Sequence, residues 1–195
     1  MQLEQLSRQD GLTGLTNQNT FYEHLKRELN SCERHQEELS LIYFDLNNFK
    51  NVNDTDGHQE GDKILKAVSD AILQSIREVD IGSRYGGDEF CIILPRTSQE
   101  VAVEIMDRII ITFKSLQDKN ITFSIGITSV NPDCVVDVNS LVKEADALMY
   151  QSKEKSTIDN DFHISTPHKE ADALMYQSKE KSTIDNDFHI STPNK

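Results

Sequence analysis

Two adjacent glycines, Gly86 and Gly87, separate two apolar-leaning runs, Val79 to Tyr85 and Phe90 to Leu94. Residues free to take positive φ between strand-like runs predict a tight β-hairpin. No other stretch constrains the chain as strongly. Asp88 and Glu89 follow at once, so the hairpin carries two carboxylates at its tip. Strand side chains alternate faces. Phe90, Ile92 and Leu94 therefore share a side with Asp88, while Cys91 and Ile93 share the other with Glu89. Acids beside so apolar a strand are costly unless something cationic pairs with them, and a divalent metal ion suits. An exposed turn with solvated acids is the competing account of so short a motif.

The other segments are read in chain order. Leu3 and Leu6 suit the end of a short helix, and Asp10 to Asn17 reads as a structured loop. A helix is predicted over Asn19 to Arg34, with Phe21, Leu25 and Leu29 on one face and a Thr20–Glu23 capping box. Leu39 to Leu46 predicts a central strand buried on both faces. Asp45 lies near its end, before the polar rim Asn47-Asn48-Phe49-Lys50. Taken alone, Asp45 suits the N-cap of the next helix. Taken with Asp88, it suits Mg²⁺, which is often held by one or two carboxylates plus phosphates. Asn53 to Asp62 reads as a loop by composition. A helix follows, with a stripe of Ile64, Leu65, Val68, Ile72 and Ile76, and Asp62 suits its N-cap. A carboxylate there also matches guanine, whose N1–H and 2-amino group it can accept together, and an asparagine amide adds base-edge contacts. Arg77 to Asp80 ends this helix. Glu100 to Leu116 predicts another helix, Ile121 to Val130 a strand, and Asn139 to Lys155 a helix with Leu141, Ala145, Leu148 and Met149 facing inward.

The formal net charge of -13 argues against broad binding to nucleic acid or anionic membrane, since both are polyanions. Cys32, Cys91 and Cys134 show neither paired nor metal-ligand spacing and read as reduced thiols. No apolar run is long enough to span a bilayer, and Met1 to Leu6 lacks a secretory pattern. A cytoplasmic location is expected.

In combination, Asp10-Gly11-Leu12-Thr13-Gly14-Leu15-Thr16-Asn17, the Asp45 to Asp62 stretch, Arg84 to Phe90, Ser124-Ile125-Gly126 and Ala145 to Lys153 resemble the GGDEF family, the diguanylate cyclases. The resemblance covers about residues 10–155. It implies an α/β (α+β) fold, a mostly antiparallel central sheet flanked by helices, like the palm of nucleotidyl cyclases and polymerases. It implies condensation of two GTP into cyclic di-GMP with release of pyrophosphate. Asp45, the Leu46 carbonyl and Asp88 would hold Mg²⁺ or Mn²⁺. Asn48, Phe49, Lys50, Asn53, His58, Asp62 and Lys153 would contact GTP, and Asp88 or Glu89 would help deprotonate the attacking 3′-hydroxyl. Arg77 and Asp80, joined by Arg108, match a site where the product inhibits. A homodimer and an upstream sensory domain are the implied partners.

The chain departs from the family pattern at Gln18, which replaces an arginine, and at Asn47, which replaces a second aspartate. Ser156-Thr157 stands where a glycine and a phosphate-holding arginine are usual. These departures keep open a non-catalytic module that binds GTP or cyclic di-GMP. Lys143–Pro167 recurs unchanged as Lys169–Pro193. Two copies are too few for a repeat array, so residues 156–195 read as a tail carrying a duplicated terminus, after a linker-helix end at 1–9. The first copy is expected to dock, because it completes the longer helix. The second is expected to be a loose tail or a helix on a neighbouring chain, which leaves an interaction protein as a third account.

Overall fold

Strand β1 (Leu39–Leu46) is the middle of a five-stranded sheet, and all its residues are buried. The computed structural model describes residues 8–131, 136–159 and 161–167, without the side chains of 157–159. Antiparallel partners flank β1: β3 (Glu89–Pro95) on one side and β4 (Phe123–Val130) on the other. The hairpin strand β2 (Ile81–Arg84) pairs antiparallel with β3, and β5 (His163–Ser165) pairs parallel with β4. The order is β2-β3-β1-β4-β5, so the sheet is mixed, with one parallel edge on a mostly antiparallel array.

Five described helices cover it: α1 (Gln18–His35), α2 (Phe49–Asp56), α3 (His58–Ser75), α4 (Gln99–Leu116) and α5 (Val138–Asp159). The period-two alternation of the strands divides the core in two. Ile42, Phe44, Phe90, Ile92, Phe123 and Ile125 pack with residues of α3 and α4. Leu39, Leu41, Tyr43, Cys91 and Ile93 pack with residues of α1 and α5. The cross-strand pair Phe44–Phe90 stacks at 5.5 Å between centroids and Phe123 meets Phe44 at 5.1 Å, which pins the ladder register.

Several local expectations differ from the fold. The cap of α1 is Asn17, whose side chain accepts from the Thr20 amide at 3.0 Å. Asparagine is among the strongest N-caps, so the helix starts one residue before Asn19 rather than from a Thr20 box. The predicted loop Asn53–Asp62 is helical, broken at Gly57 with φ 86°. Its Asn- and Asp-rich composition lowers helix propensity, but Phe49 and Val52 pack against the core and override it. Asp62 therefore lies inside α3 and is not its N-cap. Helix α3 ends at Ser75, so Arg77 to Asp80 forms a turn after it.

The chain also continues in regular structure past residue 155. Helix α5 runs to Asp159, and β5 then joins the sheet edge. The Ser152 hydroxyl accepts from the Ile125 amide at 3.2 Å and donates to the His163 carbonyl, tying β4 to β5. Phe162 meets Phe123 edge-on at 5.2 Å. The first copy of the duplicated segment thus docks through Ser165, where the compact unit ends. The second copy, Leu3, Leu6 and Cys134 lie outside the described residues. Among the described residues no helix is long and apolar enough to cross a membrane.

Helix α5 reaches β4 because Gly126 has no side chain. A Cβ there would stand 2.1 Å from the Ala145 carbonyl oxygen and 2.5 Å from the Met149 nitrogen. Both are helix backbone and cannot swing away. Gly126→Ala is expected to destabilise the chain by about 3 kcal/mol through overpacking, read as a lower midpoint in urea unfolding.

Candidate functional site

Strands β1 and β3 end and begin side by side, which brings the acids of both to one end of the sheet. Asp45 is the ladder partner of Glu89, and the Leu46 amide donates to the Asp88 carbonyl at 3.2 Å. Asp45 is buried, and burial pushes its carboxyl up. The Lys153 ammonium, donating to Oδ1 at 2.7 Å, pulls the other way without cancelling the rise, and the charge of Asp88 adds to it. Glu89 is half-buried and is likewise raised, first by burial and then by Asp45, Asp88 and Asp146, against a hydrogen bond from Tyr43. Carboxylates are crowded here beyond what the local cations neutralise.

The hairpin is splinted from outside. Arg84 donates to the Gly87 carbonyl through Nε at 3.2 Å and Nη2 at 2.7 Å, and through Nη1 to both oxygens of Asp10 at 3.1 and 3.2 Å. Asp10 also accepts from the Thr13 amide at 2.9 Å and its hydroxyl at 2.7 Å. The turn closes with the Tyr85 and Gly86 amides both donating to the Glu89 carbonyl, at 2.8 and 3.2 Å. Contrary to expectation, neither Gly86 nor Gly87 takes a left-handed φ. What Gly86 supplies is space: a Cβ on it would lie 2.4 Å from Glu89 Oε2.

The remaining candidates fall in three places. On α2 and α3, Asn53 stands close against Gly61, where a Cβ would meet its Oδ1 at 2.0 Å, with exposed His58 and Asp62 on the same helix as Gly61. Asn48, with φ 63°, and Phe49 and Lys50 turn the chain from β1 into α2; Asn48 and Lys50 are exposed and Phe49 packs on the core. Asn47 is turned toward β4 instead, donating to Thr122 Oγ1 at 3.0 Å and accepting from Ser124 at 2.8 Å.

Arg77 and Asp80 sit at the opposite end of β3, roughly 20 Å along the strand from Glu89. Arg77 forks onto Asp80 through Nε at 3.0 Å and Nη2 at 2.7 Å, and Nη2 also reaches Thr97 Oγ1 at 2.7 Å and the Pro95 carbonyl at 3.1 Å. The Asp80 side chain is fully buried and that of Arg77 half-exposed. Arg108 caps the end of α3, its Nε donating to the Ser75 carbonyl at 3.1 Å. The sequence reading missed Asp10, Arg84, Tyr43 and Thr97. Their partners are set by folding, and spacing along the chain carries no signal for them.

The donors at the sheet end fit a hard divalent cation. Two carboxylates and the Leu46 carbonyl are all oxygen, and the Lys153 ammonium stands in as a cation at Asp45. Among the described residues no group of three or more His, Cys, Asp or Glu side chains could hold a metal ion. The other coordination positions would thus fall to phosphate and water, as is usual for Mg²⁺.

Burial alone would raise the Asp10 carboxyl, but the Thr13 and Arg84 hydrogen bonds outweigh it and hold it below the ordinary 3.8. A depressed carboxyl contributes stability above its unfolded value, and the contribution is lost as pH falls through the folded one. Asp10→Asn is expected to lower the urea midpoint near neutral pH. Its gap from wild type narrows as pH drops below 3.8.

A family model described as "Diguanylate cyclase, GGDEF domain" matches residues 7–159. Diguanylate cyclase A of Treponema denticola is 36% identical over 165 residues, which is 78% of this chain and 43% of that protein. Cyclic di-GMP phosphodiesterase NbdA of Pseudomonas aeruginosa is 34% identical over 156 residues, 77% of this chain and 20% of that protein. The chain thus spans less than half the length of either. The crystal structure of the GGDEF domain of DgcB from Caulobacter crescentus, in complex with c-di-GMP, is similar with a TM-score of 0.73 at 29% identity, over 82% of this chain and 95% of that one.

Proposed function

The chain belongs to the GGDEF family, and from that membership we propose that it condenses two GTP into cyclic di-GMP, releasing two pyrophosphates. The observation that carries this reading is the meeting of the Asp45 and Asp88 segments at adjacent strand ends, with Lys153 already drawn to them. Asp45, Asp88 and the Leu46 carbonyl would hold Mg²⁺ or Mn²⁺, which supplies polarisation of the α-phosphate and offsets charge on the leaving pyrophosphate. Lys153 exchanges Asp45 for the triphosphate, and Lys50 faces the same charge. Asp62 accepts from the guanine edge, with Asn53 and His58 beside it, and Asn48 and Phe49 shape the turn under the nucleotide. Asp88 or Glu89 takes the proton of the 3′-hydroxyl.

Each copy orients one GTP, so two copies must face each other, and pairing them is the natural point of control. An upstream sensory segment fits that control, as does a cytoplasmic location with its GTP. The Arg77–Asp80 fork, with Arg108, is the site at which product inhibits; arginine offers the planar donors that guanine edges and phosphates accept.

A second reading is a module that binds GTP or cyclic di-GMP without turnover. The buried Ser156 favours it. Its hydroxyl donates to the Asp161 carbonyl at 3.0 Å, at a place where the family continues toward a phosphate-holding arginine that this chain lacks. The match to a protein named as a phosphodiesterase points the same way: the domain occurs in proteins that are not named as cyclases.

Incubation with GTP and Mg²⁺ followed by nucleotide chromatography separates the two readings. Wild type is expected to yield cyclic di-GMP, and Asp88→Ala to lose turnover by on the order of 10²–10⁴ with an unchanged unfolding midpoint. Absence of cyclic product from wild type and from Arg77→Ala alike leaves the module. Lys153→Met is expected to weaken GTP binding roughly tenfold or more. It should also tighten Mn²⁺ binding to the nucleotide-free chain, measured by electron paramagnetic resonance, because the competing cation at Asp45 is gone. In the inhibition assay, Arg77→Ala should raise the cyclic di-GMP concentration that halves the rate, by roughly tenfold or more.

A further inference from the structure

A cavity of about 380 Å³ opens beside the hairpin, between β1, α1 and α5, and Glu89 is the one residue of its lining that the proposed reaction also uses. Its walls include Tyr22 of α1, Tyr43 of β1, Tyr85 and Glu89 of the hairpin, and Lys143 and Asp146 of α5. The three rings are continuous: Tyr43 lies 5.1 Å and Tyr22 6.0 Å from Tyr85, centroid to centroid. Two of their hydroxyl contacts are internal to the wall, Tyr22 to Tyr85 at 2.6 Å and Tyr43 to Glu89. The cavity therefore presents aromatic rings and two carboxylates, with the Lys143 ammonium and the Asn139 amide at its α5 wall.

Its charge selects the guest. Glu89 and Asp146 against Lys143, two carboxylates less one ammonium, leave one net negative charge, and behind Glu89 lie Asp88 and Asp45, of which Asp45 is paired with Lys153. An anion is repelled by that potential. A neutral guest leaves the like charges facing one another. A cation is attracted both by the ring quadrupoles and by the unbalanced carboxylate. The volume falls in the range of small-molecule sites. We propose that this aromatic, carboxylate-lined cavity binds a small organic monocation bearing an alkylammonium or guanidinium group. Because Glu89 belongs to both the cavity and the hairpin, the occupant sits one residue away from Asp88. The proposal does not depend on the cyclase reading, since binding is measured without turnover.

Tyrosine emission reports this site directly, because the chain has no tryptophan and three of its five tyrosines line the cavity. The full chain, titrated with n-butylammonium and with methylguanidinium, is expected to show a saturable change in emission with at least one of them. Neither 1-butanol nor potassium chloride at equal concentration should reproduce it. Two exposed positions on α5, outside the residues assigned to metal and nucleotide, then give opposite signs. Asp146→Asn should weaken binding roughly fivefold and Lys143→Gln should tighten it roughly twofold, with circular dichroism unchanged in both. A response to neither cation, an equal response to butanol or potassium, or an affinity unmoved by Lys143→Gln overturns the proposal. An unmoved affinity in folded Asp146→Asn overturns it as well.

Discussion

The register of the β1–β3 ladder is the constraint on which the rest depends. It sets Asp45 opposite Glu89 and Phe44 opposite Phe90. A slip of one residue would turn Asp45 toward the α3–α4 core and Phe44 toward the polar rim. The stacked phenylalanines and the two buried faces of β1 prohibit that slip, because each alternate residue is already committed to one of two cores. The acids are therefore positioned by hydrophobic packing several residues away. The polar end of the sheet takes its geometry from an apolar interior that plays no part in its chemistry.

Charge at that end is deliberately unbalanced. Asp45, Asp88, Glu89 and Asp146 act on one another, and Lys153 answers only part of their field. Arginine is used differently. Arg84 holds the hairpin to Asp10 and Gly87, a role of shape rather than of neutralising the cluster. The same excess extends along the α5 side of the hairpin, where the three tyrosines meet it.

Strand β3 connects two chemically distinct ends. Glu89 opens it beside the acids, and the Pro95 carbonyl closes it beneath the Arg77 guanidinium. The strand between them is buried throughout except at Glu89.

Much of this is legible along the chain. Leu39–Leu46 and Phe90–Leu94 are short, almost wholly apolar runs that suit strands buried on both faces, Ile121–Ile127 alternates with a period of two, and the stripe in Ile64–Ile72 has the period of a helix. The residue types of the site, acids after a glycine pair and after a buried strand, are likewise local. What the sequence could not determine is set by partners distant in the chain or by context that reverses local preference. Lys153 meets Asp45 across 108 residues and Arg84 meets Asp10 across 74, and neither pairing has a spacing rule. Asn53–Asp56 is helical only because Phe49 and Val52 find a core. β5 is three residues long and is a strand only because β4 offers it an edge. Local periodicity is written in the order of the residues, whereas ion pairs and edge strands exist only once packing has closed the distance.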